Sequence, residues 1–181
     1  MAEYVELISQ CATRMLAMID ALLTYSRVSQ QQLKLSRLRL QKLVEGGCEN
    51  LRADIAGRAA TVRCHTGVEV QGDPALLALV FQNLIDNALK YAGKGSLVVV
   101  ITAETVDGEA IIRFADNGPG IAPHLQSKAF DMFQRLGAAQ QASGAGVGLT
   151  LCRRIVELHG GTMNMDATFT SGLAYVIRLP A

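Results

Sequence analysis

The sequence predicts an α+β fold: a two-layer sandwich in which helices cover one face of a mixed sheet, preceded by one long helix. Three observations lead there. Segments with strand alternation pair up as close neighbours, 97–103 with 110–115 across Asp107-Gly108 and 162–167 with 174–179, which is hairpin spacing. Segments with helical periodicity are interspersed among them rather than alternating strictly with single strands, which favours helices gathered on one side of a sheet. Half of the 181 residues are apolar and only 18% are charged, a composition that excludes a disordered chain and supplies one sizeable core.

Residues 3–28 contain neither Gly nor Pro and read as one helix. Tyr4, Ile8, Cys11, Met15, Met18, Leu22 and Tyr25 follow the spacing of a heptad seam. Leu7, Leu16, Ile19 and Leu23 widen the apolar face beyond what a two-stranded coil needs, so the helix suits a bundle; the competing reading packs it on its own domain. A polar linker at 30–34 then separates residues 1–29 from a domain at 35–181. Within that domain the pattern gives a strand at 35–38, a helix at 40–55 and strands at 60–64 and 68–70. Gly72-Asp73-Pro74 starts the next helix, with Asp73 as N-cap and Pro74 in the first turn, and the helix runs to about residue 91. A final helix from about residue 147 closes at Gly160-Gly161.

Charge and cysteine usage exclude several function classes. Seventeen basic against sixteen acidic residues leave a formal charge of +1, without the basic excess of a general nucleic-acid or anionic-membrane binder. Uninterrupted apolar runs such as 97–101 are far shorter than the ~20 residues of a membrane span, and no basic-then-apolar leader opens the sequence. No membrane segment is therefore expected. Cys11, Cys48, Cys64 and Cys152 lie far apart with no CxxC pair, which points to reduced thiols in the cytoplasm rather than zinc or disulfides.

Three short patterns carry chemistry. In the helix after Asp73, Leu77, Phe81, Leu84 and Ala88 form the core stripe, while Asn83, Asn87, Lys90 and Tyr91 form a polar stripe beside it. Carboxamide oxygen is a hard donor suited to Mg²⁺, and an ammonium suits phosphate; alone, the same stripe also describes a solvated helix face. In the strand AIIRFAD, Ile112, Phe114 and Asp116 share one side, so Asp116 continues a core face where an unpaired carboxylate is costly. A ligand donating a hydrogen bond, such as the exocyclic amine of adenine, offsets that cost; DNGPG is also a good turn sequence. Gly144, Gly146 and Gly148 precede a helix, and backbone N–H groups at a helix N-terminus favour anions. Glycine-rich loops of no function look the same.

The order of these patterns resembles the ATP-binding domain of sensor histidine kinases, in the wider family shared with type II topoisomerases and mismatch-repair ATPases. The resemblance spans essentially the whole chain and is nearest to phytochrome-like kinases. It implies the Bergerat fold with ATP and Mg²⁺ as ligands. Residues 81–91 resemble the N box, which implies that Asn87 coordinates Mg²⁺, Asn83 and Lys90 meet phosphates, and Tyr91 packs near adenine. Asp116-Asn117-Gly118-Pro119-Gly120 resembles the first glycine box, with Asp116 reading the adenine amine and Ile121 beside it. Residues 129–135 are similar to the F box of an ATP lid, with Phe133 against the nucleotide and Arg135 reaching phosphate. Gly144, Gly146, Gly148 and Leu149 match the second glycine box. The opening helix resembles the second helix of a dimerisation-and-phosphotransfer hairpin, which implies a homodimer through that helix.

The acceptor histidine of such kinases sits on the first hairpin helix, which this sequence does not contain. His65, His124 and His159 lie elsewhere, and His159 reads as a cation near the last carbonyls of a helix before the Gly160 cap. The resemblance therefore implies phosphoryl transfer to a histidine on a missing segment or partner chain, and onward to a response regulator. Relatives that hydrolyse ATP carry a glutamate where this chain has Asn83, and Asp86 is expected to point about 100° away from Asn87, so slow hydrolysis is expected. An anti-sigma serine kinase and a non-catalytic adaptor remain as alternatives. Residues 122–143, small and polar with glycines at the ends, are expected to be mobile without nucleotide.

Overall fold

A computed structural model describes residues 2–93, 95–134 and 145–181. Helix α1 (Ala2–Gln30) opens the chain. It is followed by β1 (Ser36–Arg39), α2 (Leu40–Glu49), α3 (Arg52–Gly57), β2 (Thr61–Cys64) and β3 (Glu69–Gly72). Next come α4 (Pro74–Tyr91), β4 (Val98–Val106), β5 (Glu109–Asp116) and α5 (Pro123–Gln126). A single 3-10 turn (Ser127–Phe130), α6 (Gly148–Leu158), β6 (Thr162–Met165) and β7 (Leu173–Pro180) complete the order.

The main sheet runs β2-β4-β5-β7-β6. β2 lies parallel to β4 and every other pair is antiparallel, so the sheet is mixed. Period-two alternation decides its two faces. Val99, Ile101, Ile112, Phe114, Tyr175 and Ile177 point inward and are buried, while Val100 on the other face is 39% exposed. Onto the inner face pack α4, through Leu77, Val80, Phe81 and Leu84, and α6, through Leu151, Cys152, Ile155 and Val156. The hairpin between β4 and β5 turns on Asp107 (φ 51) and Gly108 (φ 81). Positive φ at both positions is the geometry that matches the right-handed twist of paired strands.

One expectation of a single sheet is corrected. β1 and β3 form a separate antiparallel ribbon with Leu38 opposite Val70. Val70 is fully buried under it, and Arg37 and Arg39 both meet Glu69, at 2.6 and 3.7 Å. The helix expected over 40–55 is likewise two helices. The chain breaks at Leu51 (φ −110, ψ 8), which turns that side chain into the core, and α3 adds only the partly buried Ile55. α2 lies close against α4 at Gly47, where a Cβ would stand 2.9 Å from the Gln82 nitrogen and 3.0 Å from the Phe81 Cβ. The segment expected to be mobile begins with α5 and a 3-10 turn that buries Phe130; its remainder, 135–143, lies outside the described residues.

Much of α1 is exposed among the described residues. Tyr4, Ile8, Met15, Leu16, Ile19, Leu22 and Leu23 are all at least half exposed or nearly so. Only the last turns dock, with Val28 buried, Tyr25 against the core and the Arg154 Nε donating to Ser29 Oγ at 3.4 Å. By length and composition alone the Tyr4–Gln30 segment reaches the threshold of a membrane span, its best window averaging a mean hydropathy of 1.2 with none of it buried. That modifies the expectation drawn from uninterrupted runs. Asp20 stands within the helix, and a carboxylate at bilayer depth is costly.

Asp73 ties three parts of the domain together. Its Oδ1 accepts from the Ala75 and Leu76 nitrogens at 3.1 and 3.2 Å, capping α4, and its Oδ2 accepts from the Lys34 nitrogen at 3.1 Å. Its own backbone N–H donates to His159 Nε2 at 2.9 Å, while His159 Nδ1 lies 2.7 Å from the Ile155 carbonyl. Both contacts are satisfied by a neutral ring that donates from Nδ1 and accepts at Nε2. The expected histidine cation is therefore corrected: His159 is a buried neutral latch between α6 and the start of α4. Replacing Asp73 with Ala removes the cap and leaves the Lys34 N–H unpaired. We expect a loss of about 1–2 kcal/mol, seen as a fall in Tm of about 2–8 °C in thermal denaturation.

Candidate functional site

Asn83, Asp86, Asn87, Lys90 and Tyr91 of α4 all line one cavity of about 510 Å³, and Asp116 at the end of β5 lines it from the other side. The helix supplies this wall because its core stripe faces the sheet, turning the adjacent polar stripe toward the gap between α4 and α6. Asn83 Nδ2 donates to the Leu79 carbonyl at 2.8 Å, which fixes the amide and leaves its oxygen facing Gly148. A Cβ on Gly148 would stand 3.0 Å from Asn83 Oδ1 and 3.9 Å from Asn87 Nδ2, so the start of α6 closes directly over the two carboxamides. Among the described residues no side-chain hydrogen bond occupies Asn87.

The far wall is built around Asp116. Its Oδ1 accepts from the Gly118 nitrogen at 2.7 Å, and a Cβ on Gly118 would lie 2.8 Å from that oxygen. Asn117 holds the strand end in place: its Oδ1 accepts from Val98 N at 2.8 Å and its Nδ2 donates to the Ser96 carbonyl at 3.0 Å. Gly120 (φ 70) turns the chain where a Cβ would meet the Gly172 carbonyl at 2.7 Å. Burial pushes the Asp116 carboxyl above its usual range, opposed by the backbone N–H groups of Gly118 and Leu173. Tyr175, buried beneath it with its ring edge-on to Phe114 at 6.1 Å, is raised well above the ordinary phenol value, first by burial and then by Asp116.

The third side is the approach to α6. Gly146 (φ 71) and Phe133 (φ 63) are joined by a bond from the Phe133 nitrogen to the Gly146 carbonyl at 2.9 Å. Thr150 Oγ1 donates to the Phe130 carbonyl at 2.7 Å, and the Arg153 guanidinium lies 3.6 Å from the Phe130 ring centroid. These contacts fasten the 3-10 turn to α6.

Of the residues singled out in the sequence, Asn83, Asn87, Lys90, Tyr91, Asp116, Gly118, Gly120, Ile121, Gly146, Gly148 and Leu149 line the cavity. Phe133 is not among its lining residues and is 42% exposed. Arg135 and Gly144 lie outside the described residues. Sequence reasoning missed Tyr175, and also Ala21 and Thr24, by which the docked end of α1 contributes to the wall. The parity of β7 would have placed Tyr175 inward, but only the pairing of Phe114 with Tyr175 puts it under Asp116. Asp86, expected to point about 100° away from Asn87, also lines the cavity, and its Oδ2 lies 2.5 Å from Lys90 Nζ, four residues on along the same face.

A helix N-terminus, two carboxamides, an ammonium and a buried carboxylate thus converge on one space. That donor set suits a polyanion at one end and a hydrogen-bond-donating ring at the other.

Residues 72–181 match the family of histidine kinase-, DNA gyrase B- and HSP90-like ATPases. Cyanobacterial phytochrome A of Nostoc sp. is 29% identical over 98% of this chain and 23% of its own length. Histidine protein kinase DivJ of Caulobacter vibrioides is 34% identical over 99% of this chain and 31% of its own length. The chain therefore spans about a fifth to a third of the curated relatives it matches. The crystal structure of full-length ShkA in complex with AMPPNP has the same fold, with a TM-score of 0.73 at 22% identity, covering 99% of this chain and 38% of that one.

The raised Asp116 makes a prediction about stability. Folding favours the protonated carboxyl, so its contribution is present below the unfolded value near 4 and is lost as pH rises through the higher folded value. Urea denaturation should show wild type losing stability relative to Asp116→Asn as pH rises across that window. A difference that stays flat, or grows the other way, would show that burial does not govern this carboxyl.

Proposed function

Because the chain belongs to the family of histidine kinase-, DNA gyrase B- and HSP90-like ATPases, we propose that its cavity binds Mg-ATP for transfer of the γ-phosphoryl group to a histidine. The observation that carries this reading is the meeting of Asp116 and Asn87 in one cavity under the glycine-rich start of α6. On this reading the chain is the catalytic part of a sensor histidine kinase: residues 1–29 are half of a dimerisation and phosphotransfer hairpin, 30–34 a linker, and 35–181 the catalytic domain. The acceptor histidine comes from another segment or a partner chain, and a response regulator receives the phosphoryl group next. The same reading carries a cytoplasmic location, where ATP is available and thiols stay reduced.

The residues present fit the ligands. Asn87, with a carboxamide free of other described partners, would hold the magnesium ion through its oxygen, a hard donor. A bound magnesium ion would supply positive charge against the triphosphate during phosphoryl transfer. Asn83, Lys90 and the N–H groups of Gly146, Gly148 and Leu149 hold phosphate oxygens. Asp116 accepts from the adenine amine, Gly118 and Gly120 let the backbone approach the ring, and Tyr91 and Ile121 pack beside it. Asn83 is an amide fixed to Leu79, so it cannot take a proton from water. The site therefore retains the γ-phosphoryl group until an acceptor arrives.

Calorimetric titration tests the binding half. Wild type should bind ATP and ADP with Mg²⁺ at micromolar to millimolar Kd, roughly −4 to −8 kcal/mol. Asn87→Ala and Asp116→Asn should each weaken ATP by about tenfold or more, of the order of one lost charge-assisted contact. No heat in any sample would instead indicate an adaptor. With labelled ATP and a supplied acceptor helix, acid-labile label on histidine supports the kinase reading, while label on serine supports the anti-sigma alternative.

The uncovered seam of α1 carries the partner reading. We expect concentration-dependent dimerisation in sedimentation velocity, and Leu22→Lys should shift the chain toward monomer by placing a charge in the seam. A chain that stays monomeric at all concentrations would argue against a homodimer through this helix.

A further inference from the structure

Asp86, the partner of Lys90, has no part in the ligand contacts argued above, yet it sits inside the cavity wall. The two groups lie 2.5 Å apart with side chains 32% and 33% exposed. The acid stands four residues before the base, the favourable order on a helix. Neither holds the fold, because the buried positions of α4 are on its other side. Among the described lining residues the charged groups are Asp86, Lys90 and Asp116, two acids against one base. The one described cation in that wall is thus already paired.

We propose that Asp86 is a positioning residue that makes nucleotide binding dependent on magnesium, by holding the Lys90 ammonium against its own carboxylate. The inference rests on the nucleotide reading above and deepens it. A metal-free triphosphate carries several negative charges into a wall whose described groups are not net positive, and it must compete with Asp86 for Lys90. A metal-bound triphosphate arrives with two of those charges neutralised and finds the Asn87 carboxamide as a ligand. Removing the Asp86 charge frees Lys90 and favours the metal-free form more than the metal-bound one.

The test is a titration of ATP with magnesium and with EDTA, on wild type, Asp86→Asn and Asp86→Ser. Through tighter binding of the metal-free form, both variants should reduce the ratio of metal-free to magnesium-bound Kd by at least about fivefold, the low end of ordinary coupling between sites. Adding Lys90→Gln to Asp86→Asn should cancel that change. A ratio unchanged in both variants overturns the proposal. So does equal tightening of the two forms, which would make Asp86 a general repulsive charge, or selective weakening of Mg-ATP, which would make it a support for the metal's water ligands. Wild type that binds neither form overturns the nucleotide reading itself and this inference with it, so the two failures are distinguishable.

Discussion

Strand alternation along β5 puts Asp116 on the face that already holds Ile112 and Phe114, and most of the cavity follows from that constraint. A carboxylate at the end of a core face loses hydration and must be compensated. The chain supplies two backbone N–H groups, from Gly118 and Leu173, and needs glycine at 118 because any Cβ there would crowd the same oxygen. It also leaves open space on the side facing α4, where a packed side chain would have excluded both water and ligand. The raised carboxyl and the cavity are thus one feature seen twice: burial is deep enough to shift the group and incomplete enough to admit a donor.

The opposite wall depends on how α4 and α6 are held relative to each other. Gly148 brings the start of α6 onto Asn83 and Asn87, and His159 ties the end of α6 to the N–H of Asp73 at the start of α4. The two helices are therefore joined at both ends, by close contact at the cavity and by a hydrogen bond away from it. Asp73 then passes the connection on to Lys34, which stitches the segment after α1 to the domain. Because the last turns of α1 also line the cavity through Ala21 and Thr24, that stitch bears on the site as well as on the fold.

What could be read from the sequence was what local chemistry decides. The Asp73-Pro74 helix start, the Asp107-Gly108 turn and the amphipathic division of α4 each follow from residues within a few positions of one another. The β1–β3 ribbon did not, since a short strand with two available neighbours is assigned by pairing rather than by its own pattern. The break at Leu51 reflects where the core can accept that side chain, and tertiary packing overrode an acceptable helical run. His159 was misread for a related reason: helix-end rules describe its own helix, and its second partner is 86 residues away. Tyr175 is legible as inward-facing, but its place beneath Asp116 requires the register of β5 and β7.

Asp86 is the most instructive miss, because helix angle set it apart from Asn87, yet it lines the same cavity and pairs with Lys90 one turn on. The pairing has a consequence for chemistry at the site. A general base must have a free lone pair within reach of the water it activates. On α4, Asn83 is an amide bonded to Leu79, and the Asp86 Oδ2 is engaged by the Lys90 ammonium at 2.5 Å. Asp116 lies across the cavity, where the proposed reading gives it the ring end of the nucleotide. On the proposed reading, the described side chains near Asn87 hold and orient a phosphoryl group, and the carboxylate nearest to it is already engaged by an ammonium. On that reading the nucleophile comes from outside the cavity, as a module that passes its phosphoryl group on would require.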